Sequence, residues 1–205
     1  MTLTKYLKKL GDLPMVNIRK INEKPKNICA IDASTNSLAF AIFSGNTLVK
    51  CGKIKFDGLN AYQKLGDAAR KSMPFFKQFE IDAIVIEHTI FINSPKTASD
   101  LALIQGALLG AARISGVRTA GSINPITWQT FIGNGKLTTA EKQKMMLDFP
   151  GKSKNWYQNK SREIRKQRTI KFVNTYYDKN ITDDDVADAI GIGHYAINNW
   201  GKIDK

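Results

Sequence analysis

Residues 27–43 read Asn27-Ile28-Cys29-Ala30-Ile31-Asp32-Ala33-Ser34-Thr35-Asn36-Ser37-Leu38-Ala39-Phe40-Ala41-Ile42-Phe43. Two short apolar runs, 28–31 and 38–43, flank a cluster of turn residues. Neither run alternates with polar residues, so each predicts a strand covered on both faces. Ser44-Gly45-Asn46 turns the chain again, and 47–56 alternates like a half-exposed strand. The stretch therefore predicts a three-strand antiparallel meander.

Beyond the meander the period changes. Tyr62, Leu65, Ala69, Met73 and Phe76 keep helical spacing and predict a helix over 59–79, with Pro74 disturbing or ending its last turn. Residues 84–87 form an apolar strand closed by Glu87. Residues 97–114 form a helix with almost no polar face, in which Gly106 and Gly110 would let a backbone approach, either the sheet or a partner subunit. A short strand over 117–124 is ended by Pro125. Thr138 and Glu141 have capping-box spacing, and 164–176 and 183–198 read as helices, the latter capped by Thr182. A meander followed by alternating helices and strands predicts an α/β fold, a mixed sheet covered by helices.

The chain has 205 residues, with 31 Lys and Arg against 18 Asp and Glu, a net +13. At about 100–200 residues per domain this is one domain with an appendage. The charge is concentrated. Residues 1–26 carry seven basic residues against two acidic ones, and 148–171 carry eight against two. The reading is a basic N-terminal arm over 1–26 and a domain over 27–205 with a basic insertion at about 148–171. Such a surface predicts an anionic partner, nucleic acid first. No apolar run approaches the roughly 18–20 residues of a membrane span, so no membrane partner is expected. Lysines without an apolar stretch and cleavage site argue against secretion, and Asp12 and Glu23 argue against organellar targeting; a cytoplasmic location is expected. Cys29 and Cys51 are the only cysteines and read as reduced thiols in or near the core.

Four acids resist this bland account. Asp32 and Glu87 each close an apolar strand, where a carboxylate is expensive unless something positive compensates. Each has an ordinary alternative: Asp32 could cap its turn, and Glu87 could be the first exposed residue after its strand. In Thr182-Asp183-Asp184-Asp185-Val186-Ala187-Asp188-Ala189, helix capping and the helix dipole account for residues 183–185. They do not account for Asp188, which shares a face with Asp185. Four carboxylates from three segments of a basic protein suit a pair of Mg²⁺ or Mn²⁺ ions acting on a phosphodiester.

The order and context of these acids resemble the RuvC family of Holliday-junction resolvases, within the ribonuclease H-like superfamily. The matching stretches are Ile31-Asp32-Ala33-Ser34, Ile86-Glu87 with Phe91 after it, and Asp185-Val186-Ala187-Asp188-Ala189. Leu101-Ala102-Leu103-Ile104-Gln105-Gly106 resembles the family's L-x-L-x-Q helix. Asn124-Pro125 and Phe131-Ile132-Gly133-Asn134-Gly135 resemble its approach to a basic helix. The usual Pro-Gly after the first Asp is replaced by Ala33-Ser34, and the aromatic after Glu87 comes one position late.

The resemblance spans about 28–197. It implies a ribonuclease H-like fold and a homodimeric endonuclease, bacterial or virus-encoded and acting in the bacterial or infected-host cytoplasm. Such an enzyme makes paired nicks in four-way junctions, in recombination, repair or replication. It further implies two Mg²⁺ or Mn²⁺ ions held by Asp32, Glu87, Asp185 and Asp188, with Lys142 beside the scissile phosphate. Lys136, Lys144, Phe91, Lys152, Lys154, Arg162 and Arg165 are the DNA-contact candidates. Trp156 and Tyr157 either stack on unpaired bases or anchor a loop. His88 and His194 carry no functional signal, and Trp128 and Trp200 read as core or edge packing rather than DNA contacts. The rival readings are a nuclease of RNA or RNA–DNA hybrid and a non-catalytic junction-binding protein. A sugar-kinase fold would need two such domains.

Overall fold

The computed structural model describes residues 23–88 and 94–204. Most of the expected basic arm, and Phe91, lie outside these residues. The meander is β1 (Asn27–Ala33), β2 (Ser37–Ser44) and β3 (Thr47–Lys55), followed by α1 (Ala61–Gln78), β4 (Ala83–Glu87), α2 (Pro95–Ile114) and β5 (Thr119–Ile123). Four more helices follow: α3 (Pro125–Phe131), α4 (Thr139–Asp148), α5 (Lys154–Tyr177) and α6 (Asp184–Asn198), then a 3₁₀ turn at Trp200–Lys202. The sheet order is β3-β2-β1-β4-β5. The meander pairs antiparallel, and β4 and β5 add in parallel. This is the mixed, helix-flanked sheet expected from the sequence.

Strand parity divides the core into two layers. Cys29, Ile31, Leu38, Phe40, Ile42, Ile84 and Ile86 face one side and pack with α1 and α2. Ile28, Ala30, Ala39, Ala41, Phe43, Ala83 and Val85 face the other and pack with α6. Four of those seven are alanines, so α6 lies close to the sheet. Gly193 is part of the same adaptation, because a Cβ there would lie 2.8 Å from Phe43 Cδ2 and 3.1 Å from Ala30 Cβ. Cys29 is buried and Cys51 half-buried, both as free thiols.

Four local expectations change. Helix α1 runs through Pro74 to Gln78, because Phe75 and Phe76 beyond it are buried and hold the last turn down. Pro125 ends a strand but also starts α3, where a missing N–H is harmless at the first helical position. Helix α5 begins at Lys154 under a Ser153 cap, so most of 148–171 is helix. The cap of α6 is Asp183, not Thr182, with its Oδ1 accepting from the N–H groups of Asp185 and Val186 at 3.0 and 3.1 Å. The expected capping box at Thr138 and Glu141 is present.

Gly106 and Gly110 of α2 do not meet the sheet. A Cβ on either would touch nothing within 4 Å among the described residues. Among the described residues no helix is long and apolar enough to cross a membrane.

Candidate active site

Asp32 follows Ala30 at the same parity in β1, and Glu87 follows Val85 in β4, so both side chains project toward α6. The parallel register reaches Ile31 opposite Ile86, which makes the next residues, Asp32 and Glu87, neighbours at the end of the two strands. Helix α6 brings Asp185 and Asp188 over the same spot. Asp32, Glu87 and Asp188 sense their neighbours accordingly. Burial, then the charges of Asp188 and Asp185, pushes the Asp32 carboxyl up to about 7. Burial and Asp32 push Glu87 to about 7, against the Trp128 indole and Arg165. Burial and Glu87 push Asp188 to about 7, against a hydrogen bond from the Thr169 hydroxyl.

Several side chains given no role at the site in the sequence reading hold these acids or their neighbours. Trp128, fully buried on α3, donates its indole N–H to Glu87 Oε2 at 2.8 Å. Gln105, in the L-x-L-x-Q stretch, donates from Nε2 to the Glu87 carbonyl at 3.0 Å. Lys53 lies opposite Ala39, itself opposite Asp32, so it shares their face of the sheet. Its Nζ is 2.5 Å from Asp185 Oδ2 and 3.0 Å from Asp183 Oδ2. Lys166 on α5 pairs with Asp184. The carboxylates of Asp183, Asp184 and Asp185 also lie within 4.8 Å of one another.

Of the expected cations, Arg165 is the one turned inward: its guanidinium donates to Gln129 Oε1, and its charge bears on Glu87. Asn134 donates from Nδ2 to the Arg165 carbonyl and to Thr169 Oγ1, both at 2.9 Å, tying the loop after α3 to the helix behind Asp188. Lys136, Lys142 and Lys144 are exposed on or before α4, and among the described residues no ion pair joins them to the acids. Lys152, Lys154 and Arg162 are exposed. Trp156 packs on Phe149 at 5.1 Å, and the Tyr157 hydroxyl donates to the Phe149 carbonyl at 2.6 Å, so this pair anchors the α4–α5 turn. His194 is a packing residue, its Nδ1 2.7 Å from the Tyr177 hydroxyl. A cavity of about 250 Å³ opens beside the acids, lined in part by Asp32, Glu87, His88, Ser94 and Gln105.

Buried carboxylates of this kind make stability depend on pH in an unusual direction. Between about pH 4 and 7 the folded protein keeps protons on Asp32, Glu87 and Asp188 that the unfolded chain has released, so their contribution favours folding at the acid end and fades as pH rises through 7. Asp183 and Glu141, whose pKa values are lowered, act in the opposite sense at the acid end. The expected result is that in EDTA the melting temperature of the wild type, minus that of an Asp32→Asn/Glu87→Gln/Asp188→Asn variant, falls from pH 5 to pH 8. A difference that is flat or rises with pH would show that these carboxyls ionise normally.

No protein-family model matches the chain, and no characterised protein matches it by sequence. Solved structures do. RuvC of Thermus thermophilus in complex with a Holliday junction substrate superposes with a TM-score of 0.62 at 15% identity, over 87% of this chain and 98% of that one. RuvC of the same organism in a second structure gives 0.60 at 15% identity, with the same coverage. The yeast mitochondrial Holliday junction resolvase is more distant, with a TM-score of 0.47 at 12% identity, covering 88% of this chain and 82% of that one. The architecture is thus the ribonuclease H-like class of mixed sheet. Within that class the chain has the RuvC-like fold.

Proposed function

We propose that this chain is a metal-dependent endonuclease that cuts branched DNA, chiefly four-way junctions, by paired nicks as a homodimer. The observation that carries the reading is the convergence of Asp32, Glu87 and Asp188 on one face of the sheet, with Asp185 beside them. Carboxyls raised to about 7 by burial and then by their acidic neighbours fit hard divalent cations, which would supply the positive charge that this buried cluster lacks. Asp32, Glu87, Asp185 and Asp188 would hold the ions. Bound there, a pair of Mg²⁺ or Mn²⁺ ions supplies an activated water and a stabilised leaving oxygen.

The chain's own part is placement and charge. Trp128 and Gln105 hold the side chain and the backbone of Glu87 from two sides. Lys53, Arg165 and Lys166 surround the acids with the cations a phosphate backbone needs. Lys152, just before α5, and Lys154 and Arg162 on it add sequence-independent phosphate attraction. RuvC of Thermus thermophilus has been seen on a Holliday junction substrate, and the shared fold extends that substrate class to this chain as a proposal. The dimer reading draws on α2, where Leu103, Gly106, Gly110 and Ile114 form one exposed stripe with none of the other described elements against the glycines.

The test incubates the full chain with labelled four-way junction, Y-fork, linear duplex and RNA–DNA hybrid, in Mg²⁺, Mn²⁺ or EDTA. Paired nicks in the junction, abolished by EDTA, with duplex left intact, are expected. Preferential cutting of the hybrid would replace the junction with RNA–DNA hybrid as substrate, and binding without cutting in either metal would remove the enzymatic reading.

A further inference from the structure

Lys53 occupies an unusual position for a strand lysine. It lies in β3, two strands from Asp32 across the sheet, and reaches over Ala39 toward the first turn of α6. There its ammonium sits 2.5 Å from Asp185 Oδ2 and 3.0 to 3.2 Å from both oxygens of Asp183. The two aspartates do not depend on it equally. Asp183 is anchored independently, because its Oδ1 also caps the helix through the Asp185 and Val186 N–H groups. Asp185 faces the acid cluster, and its side chain meets the Lys53 ammonium directly. The Lys53 side chain is 24% exposed, so it is not sealed away from solvent.

We propose that Lys53 is a counter-ion shared between Asp185 and DNA: it competes with a divalent cation for Asp185, and a phosphate of bound DNA draws it away. This rests on the metal-dependent nuclease reading above and deepens it. A divalent cation bound at Asp185 would sit beside the ammonium on Oδ2, where the two positive charges repel and the hydrogen bond weakens the oxygen as a ligand, so Lys53 weakens metal binding at Asp185 for as long as it stays there. A phosphate offers that ammonium another anion. Metal and DNA then bind cooperatively, and reciprocally, because any factor by which DNA tightens the metal is the factor by which metal tightens DNA. Lys53 is a positioning residue in this scheme. It holds Asp185 in the resting protein and releases it when a substrate phosphate arrives, so the full metal complement assembles on DNA.

Mn²⁺ uptake by the full chain, followed by the loss of the free-ion EPR signal against a DNA-alone blank, tests this. The DNA is a four-way junction with phosphorothioate linkages at the crossover to slow hydrolysis. The wild type is expected to bind Mn²⁺ about tenfold more tightly with the junction than without it. Lys53→Met should bind Mn²⁺ about tenfold more tightly than wild type without DNA and gain little when DNA is added. Lys53→Arg, which keeps the charge, should restore the wild-type dependence on DNA. Melting curves establish that each variant is folded; should Lys53→Met fail to fold, Lys53→Gln takes its place. Lys53→Met binding no tighter than wild type without DNA would overturn the proposal, as would wild-type affinity indifferent to DNA. The two readings fail separately. Uptake that is lost in Asp32→Asn but unaffected by Lys53 sinks only the counter-ion role, whereas no specific uptake by the wild type sinks the metal reading itself.

Discussion

Asp188→Asn in the full chain is expected to bind a four-way junction as the wild type does and to cut it about a hundred- to a thousandfold more slowly, on the scale of losing one preorganised electrostatic group from an active site. Asp32→Asn should do the same. Stability should move the other way. Each carboxyl is pushed to about 7 by burial and by its acidic neighbours, so at pH 8 in EDTA the folded protein bears a strain that the neutral amide removes. Both variants should therefore melt higher than wild type under those conditions. A substitution that stabilises the fold while abolishing the reaction marks a group retained for function. Junction cleavage in Mg²⁺, junction binding and melting temperature in EDTA are the three measurements. Cleavage within a few-fold of wild type in either variant would remove these acids from the chemistry, and a variant that melts lower would give them a structural role instead.

The site was legible where side chains contradicted their surroundings. Asp32 and Glu87 interrupt apolar strands, and Asp188 lies too far into its helix to serve as a cap. Strand parity then puts the first two on one face, as counting by twos from Ile28 and Ala83 would show. The supporting residues offered no such contradiction. Trp128 reads as any core aromatic, and its bond to Glu87 depends on α3, which Pro125 concealed by resembling a terminator more than a helix start. Lys53 occupies a position in a half-exposed strand where a lysine is ordinary. Its partner is set by a register running across two strands, with an irregularity between Ile42 and Phe43, and by the close seating of α6. Helix α5 was legible only in its second half, because 154–163 is polar around most of its circumference and carries no periodic apolar stripe.

The close seating of α6 carries the second large effect. Gly193 and Gly191 are buried in the helix that bears Asp185 and Asp188, where glycine is intrinsically worse than alanine by up to about 1 kcal/mol. Gly66, exposed in α1 with nothing within 4 Å of a Cβ, shows what alanine does without a neighbour: Gly66→Ala should stabilise by up to that amount. Gly193→Ala should reverse the sign. Its methyl would enter the ring of Phe43, which is fully buried, and press on Ala30, so the helix must lift or the strand shift. Overpacking of this kind costs about 1–3 kcal/mol, which for a chain of this size is a loss of roughly 3–10 °C in melting temperature. Lifting α6 also moves Asp188 away from Glu87, so cleavage should fall by tenfold or more, since an ångström of misplacement can cost about a hundredfold. Gly191→Ala tests the same geometry from the other side. Its methyl would come within 2.6 and 2.9 Å of the Trp128 ring, displacing the indole that holds Glu87, so cleavage should fall with a smaller loss of stability. If Gly193→Ala melts as high as Gly66→Ala, the helix is not seated on the sheet as described, and the convergence of the four acids loses its support.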